Sequence, residues 1–328
     1  MSKAHHAAAK AIMDGVVDGS PPATHRVFDG LLGRCKSFAP LRVAVAAPLS
    51  DVALAGAMDA AKARLIDPIL VGPKLEIERL AQRLSYDLHA VELIDARDDH
   101  DAASKAVALC RSGRAQALMK GSLHTDALMH AVVDEKDGLR TGRRISHVFV
   151  MDAPAYPRML LITDAAINIY PTLADKVDIV QNAVELCHAL GIERPNVAVL
   201  SAVETVSPKI VATVDAAALC KMADRGQITG AIVDGPLGFD TAVSERAAEI
   251  KQLHSPVAGR ADVLVAPDME SGNMLAKQLE YLGGAELAGI VLGARVPIIL
   301  TSRADSARAR LASAAVAALL EHYQRHAT

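Results

Sequence analysis

From Arg42 onward, short apolar or β-branched runs alternate with longer segments whose apolar residues recur at helical spacing. This is the pattern of parallel strands joined by crossover helices. The first run, Arg42-Val-Ala-Val-Ala-Ala47, is followed by the turn Pro48-Leu-Ser-Asp51 and an alanine-rich helix to about Leu65. Ser50 or Asp51 suits its N-cap, because either side chain can accept an unpaired N–H of the first turn. Pro68-Ile-Leu-Val-Gly72, Val91-Glu-Leu-Ile94 and Gln116-Ala-Leu-Met-Lys120 repeat the theme, so this half reads β-α-β-α-β-α-β.

After Glu135 the rhythm changes. Lys136-Asp-Gly-Leu-Arg-Thr-Gly-Arg-Arg144 brings glycines and cations into an apolar chain, which marks a loop and a domain edge. Seven further strands are expected beyond it, at His147–Met151, Met159–Thr163, Val197–Leu200, Ile228–Val233, Asp262–Val265, Ala288–Leu292 and Pro297–Leu300. So many strands favour two sheets over one, and runs this apolar call for helices on both faces of each. A last helix is expected from about Asp305 to Arg325. The turn before it is a natural ligand site, at a strand's carboxyl end and a helix's amino end.

Composition removes several function classes. Lys plus Arg total 35 against 38 Asp plus Glu, a net charge of −3 with no sustained run of either sign. That balance argues against a nucleic-acid or anionic-membrane surface. Five Tyr, four Phe and no Trp leave little for base stacking. Cys35, Cys110, Cys187 and Cys220 stand singly, without metal-clip spacing, and read as buried thiols of a reducing compartment. Residues 1–30, with His5 and His6, contain no uninterrupted apolar stretch of the signal-peptide kind, and no segment reaches the roughly 20 apolar residues that span a bilayer. A soluble cytoplasmic protein is expected.

Signatures of nucleotide hydrolysis, dinucleotide binding, zinc proteolysis and α/β-hydrolase chemistry are missing. What stands out are small polar and cationic residues where strands end. In Lys120-Gly-Ser-Leu-His-Thr125, Gly121 permits close backbone approach, while Ser122, Thr125 and a helix N-terminus can donate to an anion; ordinary helix capping explains the same residues. In Thr301-Ser-Arg-Ala-Asp305, Arg303 can hold an oxyanion through its planar fork and Ser302 can donate to developing negative charge; Asp305 equally suits a helix N-cap.

These strings, with Gly138-Leu-Arg-Thr-Gly142, Thr163-Asp-Ala-Ala-Ile-Asn168, Asp234-Gly-Pro-Leu237, Ser255-Pro-Val-Ala-Gly259 and Glu270-Ser-Gly-Asn-Met-Leu-Ala276, give the chain a family likeness. It resembles the phosphate acetyltransferase and phosphate butyryltransferase family, most closely the transferase half of bifunctional enoyl-CoA hydratase/phosphate acetyltransferases. The resemblance runs from about Arg42 to the end. It implies exchange of CoA and phosphate on a short acyl group, acetyl first and butyryl second, by direct transfer. Acyl-CoA, phosphate and acyl phosphate are then substrates, and neither metal nor resident cofactor is required.

It further implies two α/β/α domains with mostly parallel sheets and an interdomain cleft, as in isocitrate/isopropylmalate dehydrogenases. Residues 1–140 with 294–328 form domain I and 141–293 domain II, in a homodimer. Ser302, Arg303 and Asp305 are the implied catalytic group. Lys120, Gly121, Ser122, Thr125, His130, Arg140, Arg143, Asn168 and Asn273 are the implied substrate-binding group. The family's acetyltransferases place a thiol-deprotonating Asp seven residues after the serine, where Ala309 stands here, and a ligand-holding Arg where His130 stands. Asp305 is the acid left near Ser302, as base or as helix cap. The missing acid keeps a rival open, a non-catalytic acyl-CoA-responsive regulatory module, and dehydrogenase chemistry is a weaker one.

Overall fold

The computed structural model describes residues 26–302 and 305–326. Helix α1 (Arg26–Cys35) precedes β1 (Leu41–Ala46), α2 (Asp51–Lys62), β2 (Ile66–Gly72), α3 (Lys74–Arg83), β3 (Glu92–Asp95), α4 (Asp99–Arg111), β4 (Ala117–Lys120) and α5 (Thr125–Val132). The second half contains β5 (Ser146–Asp152), β6 (Leu160–Thr163), α6 (Leu173–Ala189), β7 (Asn196–Leu200), α7 (Val211–Asp224) and β8 (Ile232–Leu237). It continues with α8 (Phe239–Val243), α9 (Glu245–Ile250), β9 (Val263–Val265), α10 (Met269–Tyr281), β10 (Glu286–Leu292), β11 (Ile298–Ile299) and α11 (Ala307–His326). Ser50 is the cap of α2, its hydroxyl accepting the Ala53 N–H at 3.2 Å.

The expectation of two sheets gives way to one. Among the described residues all eleven strands join in the order β3-β2-β1-β4-β11-β10-β5-β6-β9-β7-β8. Two parallel blocks, β3-β2-β1-β4-β11 and β6-β9-β7-β8, run in opposite senses, and the antiparallel strands β10 and β5 join them through a continuous register from Glu286↔Asp152 to Leu292↔Ser146. Apolar runs announce that strands are covered on both faces; they do not announce which strand pairs with which.

One strand is displaced from its expected place. The strand expected at Ile228–Val233 runs instead over Ile232–Leu237, so Asp234-Gly-Pro-Leu237 lies inside β8. Gly and Pro ordinarily signal a turn, but β8 is the last strand of the sheet, and an edge tolerates a residue that cannot donate to a ladder. A register shift between Ala198 and Leu200 of its neighbour accommodates the irregularity.

The two faces of the sheet are covered differently. Along one face a single core runs from Val43 and Leu70 through Val148 and Ile290 to Val197 and Val263, beneath α1, α2, α3, α6, α7 and α11. On the other face the core is divided. Ala44, Ile69 and Leu118 pack under α4 and α5, whereas Met151, Ile162 and Leu264 pack near α8, α9 and α10. Strand side chains alternate between faces, so Leu287, Gly289 and Val291 share one face of β10, as do His147, Phe149 and Met151 on β5. Leu287 belongs to one of the divided cores and Val291 to the other. Gly289 lies between them.

A methyl on Gly289 would sit 2.4 Å from the Leu300 carbonyl oxygen and 3.2 Å from His147 Nε2. Glycine is needed there because the chain leaving β11 crosses that spot. Gly289→Ala is expected to cost about 1–3 kcal/mol, the usual scale of forced overpacking, read as a lowered urea-unfolding midpoint at unchanged slope.

Candidate active site

The division between the two outer cores leaves a cavity of about 460 Å³. Lys120 and Leu123 come from the end of β4 and its loop, Thr125 from the start of α5, Asn273 and Lys277 from α10, His147 and Phe149 from β5, and Leu300, Thr301 and Ser302 from the end of β11. Parallel pairing of β11 with β4, Ile298 to Leu118 and Ile299 to Met119, carries Ser302 beside Lys120 although the two are far apart in sequence. Asn273 and Lys277, four residues apart, share one face of their helix. The Asn273 amide donates to the Ala165 carbonyl at 3.0 Å and so ties α10 to the turn after β6. The Lys277 ammonium pairs with Glu280 at 2.7 Å and lies 5.9 Å from the centre of the Phe149 ring.

The Lys120–Thr125 loop is held by its own backbone contacts. A Cβ on Gly121 would fall 2.3 Å from the carbonyl oxygens of Ala46 and Ala47, so this glycine admits β1 rather than an anion. The Ser122 hydroxyl donates to the Ala47 carbonyl at 2.8 Å and accepts the Leu49 N–H at 3.3 Å. Both residues fix where Lys120 and Thr125 stand.

Ser302 sits in a short closed turn. Its N–H donates to Asp305 Oδ2 at 2.7 Å, and the Asp305 N–H donates back to the Ser302 carbonyl at 3.2 Å. Asp305 is buried, and its Oδ1 has no hydrogen-bond partner. Burial pushes its carboxyl above the usual range, opposed by the Ser302 N–H and by Lys277. Asp305 is not the helix cap considered above: α11 begins at Ala307, and Ser306 takes the cap by accepting the Ala309 N–H at 3.0 Å. Arg303, and residues 1–25 with His5 and His6, lie outside the described residues.

Several expected binding residues stand elsewhere. Arg140, Arg143, Arg144 and Asn168 line a neighbouring cavity of about 570 Å³. There Arg140 faces Glu135 at 3.6 Å, Arg143 pairs with Glu185 at 2.5 Å, and Arg144 donates to Asn168 Oδ1 at 2.7 Å. The Asn168 amide donates to the Ile145 carbonyl at 2.9 Å and to Asp164, so this buried side chain braces the turn after β6. His130 is exposed in a third cavity with His100, Asp134 and Asp137. Residue type and closeness to a strand end suggest a ligand site, but the face toward which a loop turns depends on packing.

Sequence reasoning missed His147, Phe149 and Lys277. A signal existed for the first, a histidine inside an otherwise apolar strand. His147 is fully buried, neither ring nitrogen has a hydrogen-bond partner, and Phe149 packs edge-on at 4.3 Å between ring centres. Burial presses its pKa from the ordinary 6.5 to about 4, with the Asp164 charge opposing and Lys277 assisting. The cysteines offer no reactive thiolate: burial raises Cys35 to about 11, Cys110 and Cys220 to about 12, and Cys187 higher still.

A cleft at strand ends, with two lysines, a threonine and a serine above an uncharged floor, is a small-molecule pocket of an α/β protein whose cations suit an anion. Comparison with known proteins makes this specific. The family model described as phosphate acetyl/butaryl transferase matches residues 98–318. The chain is 57% identical over 298 residues to a phosphate acetyltransferase of Rhizobium meliloti, covering 91% of this chain and 94% of that protein. It is 42% identical over 293 residues to a phosphate butyryltransferase of Clostridium acetobutylicum, covering 89% and 97%. A branched-chain phosphotransacylase structure from Enterococcus faecalis V583 superposes with a TM-score of 0.74 at 31% identity, covering 86% of this chain and 99% of that one. The chain belongs to the phosphate acetyl/butaryl transferase family.

The buried imidazole has a consequence for stability. Between its folded value of about 4 and its ordinary 6.5 the unfolded chain binds the extra proton, so the contribution of His147 is complete above pH 6.5 and lost as pH falls toward 4. His147→Leu is expected to lose about 3 kcal/mol less than wild type across that interval, measured by urea unfolding at stepped pH.

Proposed function

We propose that the protein interconverts acyl-CoA plus phosphate with acyl phosphate plus CoA, acetyl being the favoured acyl group and butyryl the second. The observation that carries this reading is the convergence of Lys120, Thr125, Lys277 and Ser302 on one cavity. Lys120, Lys277 and Arg303 supply positive charge for phosphate. In the forward direction a phosphate oxygen attacks the thioester carbonyl, forming a C–O bond and a tetrahedral oxyanion. Collapse breaks the C–S bond and releases CoA. The Ser302 hydroxyl donates to the oxyanion, worth most where donors are fixed beforehand.

In the reverse direction the CoA thiol must lose its proton. Asp305 is the candidate base, with a raised pKa, an oxygen without a partner and a hydrogen bond to Ser302. Arg140 meets the CoA phosphates by exchanging its exposed partner Glu135, which costs little, and Arg143 by exchanging the half-buried Glu185. Residues 1–140 with 294–328 and residues 141–293 act as two α/β/α domains, in the isocitrate/isopropylmalate dehydrogenase-like manner; the Arg140–Ala294 bridge sets the two crossover connections side by side. Among the described residues no helix is long and apolar enough to cross a membrane. The working form is a cytoplasmic homodimer.

A second reading, an acyl-CoA-responsive regulatory module without turnover, draws on Ala309, buried where the family's acetyltransferases have an acid. Purified protein, acetyl phosphate or butyryl phosphate and CoA, followed by thioester absorbance, separate the two. Thioester formation is expected, as is phosphate-dependent release of CoA from acetyl-CoA; binding without turnover would leave the regulatory module.

Ser302→Ala should lower turnover by about 10²–10³ at native unfolding midpoint. Asp305→Asn keeps an oxygen for the Ser302 N–H and spares a buried charge, so stability at neutral pH is expected to hold or rise. Its turnover is expected to fall sharply. As the base must be ionised, the wild-type rate rises with pH through a value above the ordinary carboxylate range, and this limb vanishes in the variant. A native rate and profile in Asp305→Asn would leave Asp305 only the task of tying down Ser302.

A further inference from the structure

The inward positions of the central strands are apolar with one exception. Met151, Leu160, Ile162, Leu287 and Val291 fill the divided face, whereas His147 brings a polar ring into the gap. Burying such a group without a hydrogen bond is unfavourable, because its water contacts are lost and nothing replaces them. Among the described residues no group offsets that cost, since both ring nitrogens are without partners. The charged groups nearby are otherwise engaged. Asp164 accepts the N–H groups of Ala166, Ile167 and Asn168, and Lys277 pairs with Glu280. The imidazole borders the same cavity as Ser302 yet has no surface open to water, so solvent does not satisfy it either. Contact between the ring and a ligand in the cavity therefore requires the side chains around it to shift.

The cavity is lined by two kinds of group. Lys120 and Lys277 suit the phosphate end of a substrate. The floor of His147, Phe149 and Leu300 is uncharged at neutral pH and suits the acyl end. A neutral imidazole carries one N–H and one lone pair. An acyl carbonyl is itself uncharged until attacked, so a neutral donor in a dry floor matches it without stranding a charge.

We propose that His147 receives the acyl group: its ring N–H donates a hydrogen bond to the carbonyl oxygen of bound acyl-CoA or acyl phosphate, and Phe149 closes the space left for the acyl chain. This rests on the acyltransferase reading. It adds a second donor to that of Ser302 on the same oxygen, the one that becomes the oxyanion, and it gives the buried ring a partner that exists only when substrate is bound.

The test uses the full chain, wild type against His147→Leu, which keeps an apolar floor without the donor, and His147→Gln, which keeps a donor. Acetyl-CoA labelled with ¹³C at the carbonyl is bound in phosphate-free buffer and its C=O stretch read by difference infrared spectroscopy. Turnover and KM are then measured in both directions. The frequency is expected to be higher on His147→Leu than on wild type and to return toward wild type on His147→Gln. Turnover is expected to fall about 10² in the Leu variant and less than about 10-fold in the Gln variant, with the KM for free CoA unchanged in both.

Wild-type turnover and frequency in His147→Leu would overturn the proposal. Equal losses in both variants with an unmoved carbonyl band would also do so, reducing His147 to packing. If His147→Leu does not fold, ¹⁵N-histidine spectra decide: the imidazole resonance missing from His147→Gln must move when acetyl-CoA is added, and a stationary resonance refutes contact. Wild-type protein that binds acetyl-CoA but turns over nothing overturns the acyltransferase reading, while the carbonyl band still judges His147. Failure to bind overturns both.

Discussion

The structure depends on an unequal covering of one sheet. Burial of apolar strand faces is the main favourable term in folding, and on one face it is continuous from β1 to β7. On the other face it is interrupted at β10 and β5, where helices α5 and α10 stand apart. The continuous core holds the two parallel blocks together, and the interrupted one leaves room for a substrate. The antiparallel pairing of β10 with β5 makes both conditions possible, since it joins blocks of opposite sense without an edge between them.

Around that gap the backbone makes the close contacts and the side chains are left for chemistry. Gly121 and Ser122 lock the end of β4 against β1, and Gly289 lets the chain leaving β11 pass over β10. The Ser302–Asp305 turn depends on two short-range hydrogen bonds. Fixing a serine in this way lowers the reorganisation needed when negative charge develops beside it. The loss of an acid at position 309 is compatible with this arrangement, because Ala309 is buried at the first turn of α11 while Asp305 lies ahead of the helix.

Acyl transfer asks one site to hold a dianion and an apolar acyl group within a few ångströms. The cavity brings together cations contributed by β4 and α10 and a neutral floor contributed by β5. Lys120 comes from one block, Lys277 from a helix that follows a strand of the other, and His147 and Phe149 from a strand that joins them, so neither block forms the site alone.

The strand runs from Arg42 to Leu300 were legible because apolar periodicity reports burial, and all eleven strands lie at or near those runs. The glycine, serine and lysine clusters were legible as strand-end chemistry, and their order along the chain carried the family likeness. Pairing was not legible: nothing in Glu286–Leu292 states that it lies antiparallel to Ser146–Asp152, since strand partners are chosen by the whole packing. The direction of the loops was equally hidden, so Asn168 became a brace and His130 went to another cavity, while Lys120 and Ser302 met. His147 shows the division most plainly. Sequence determined that an imidazole sits in an apolar strand; the tertiary structure decided that it lies where two cores fail to meet, and a buried ring without a partner has meaning only from its surroundings.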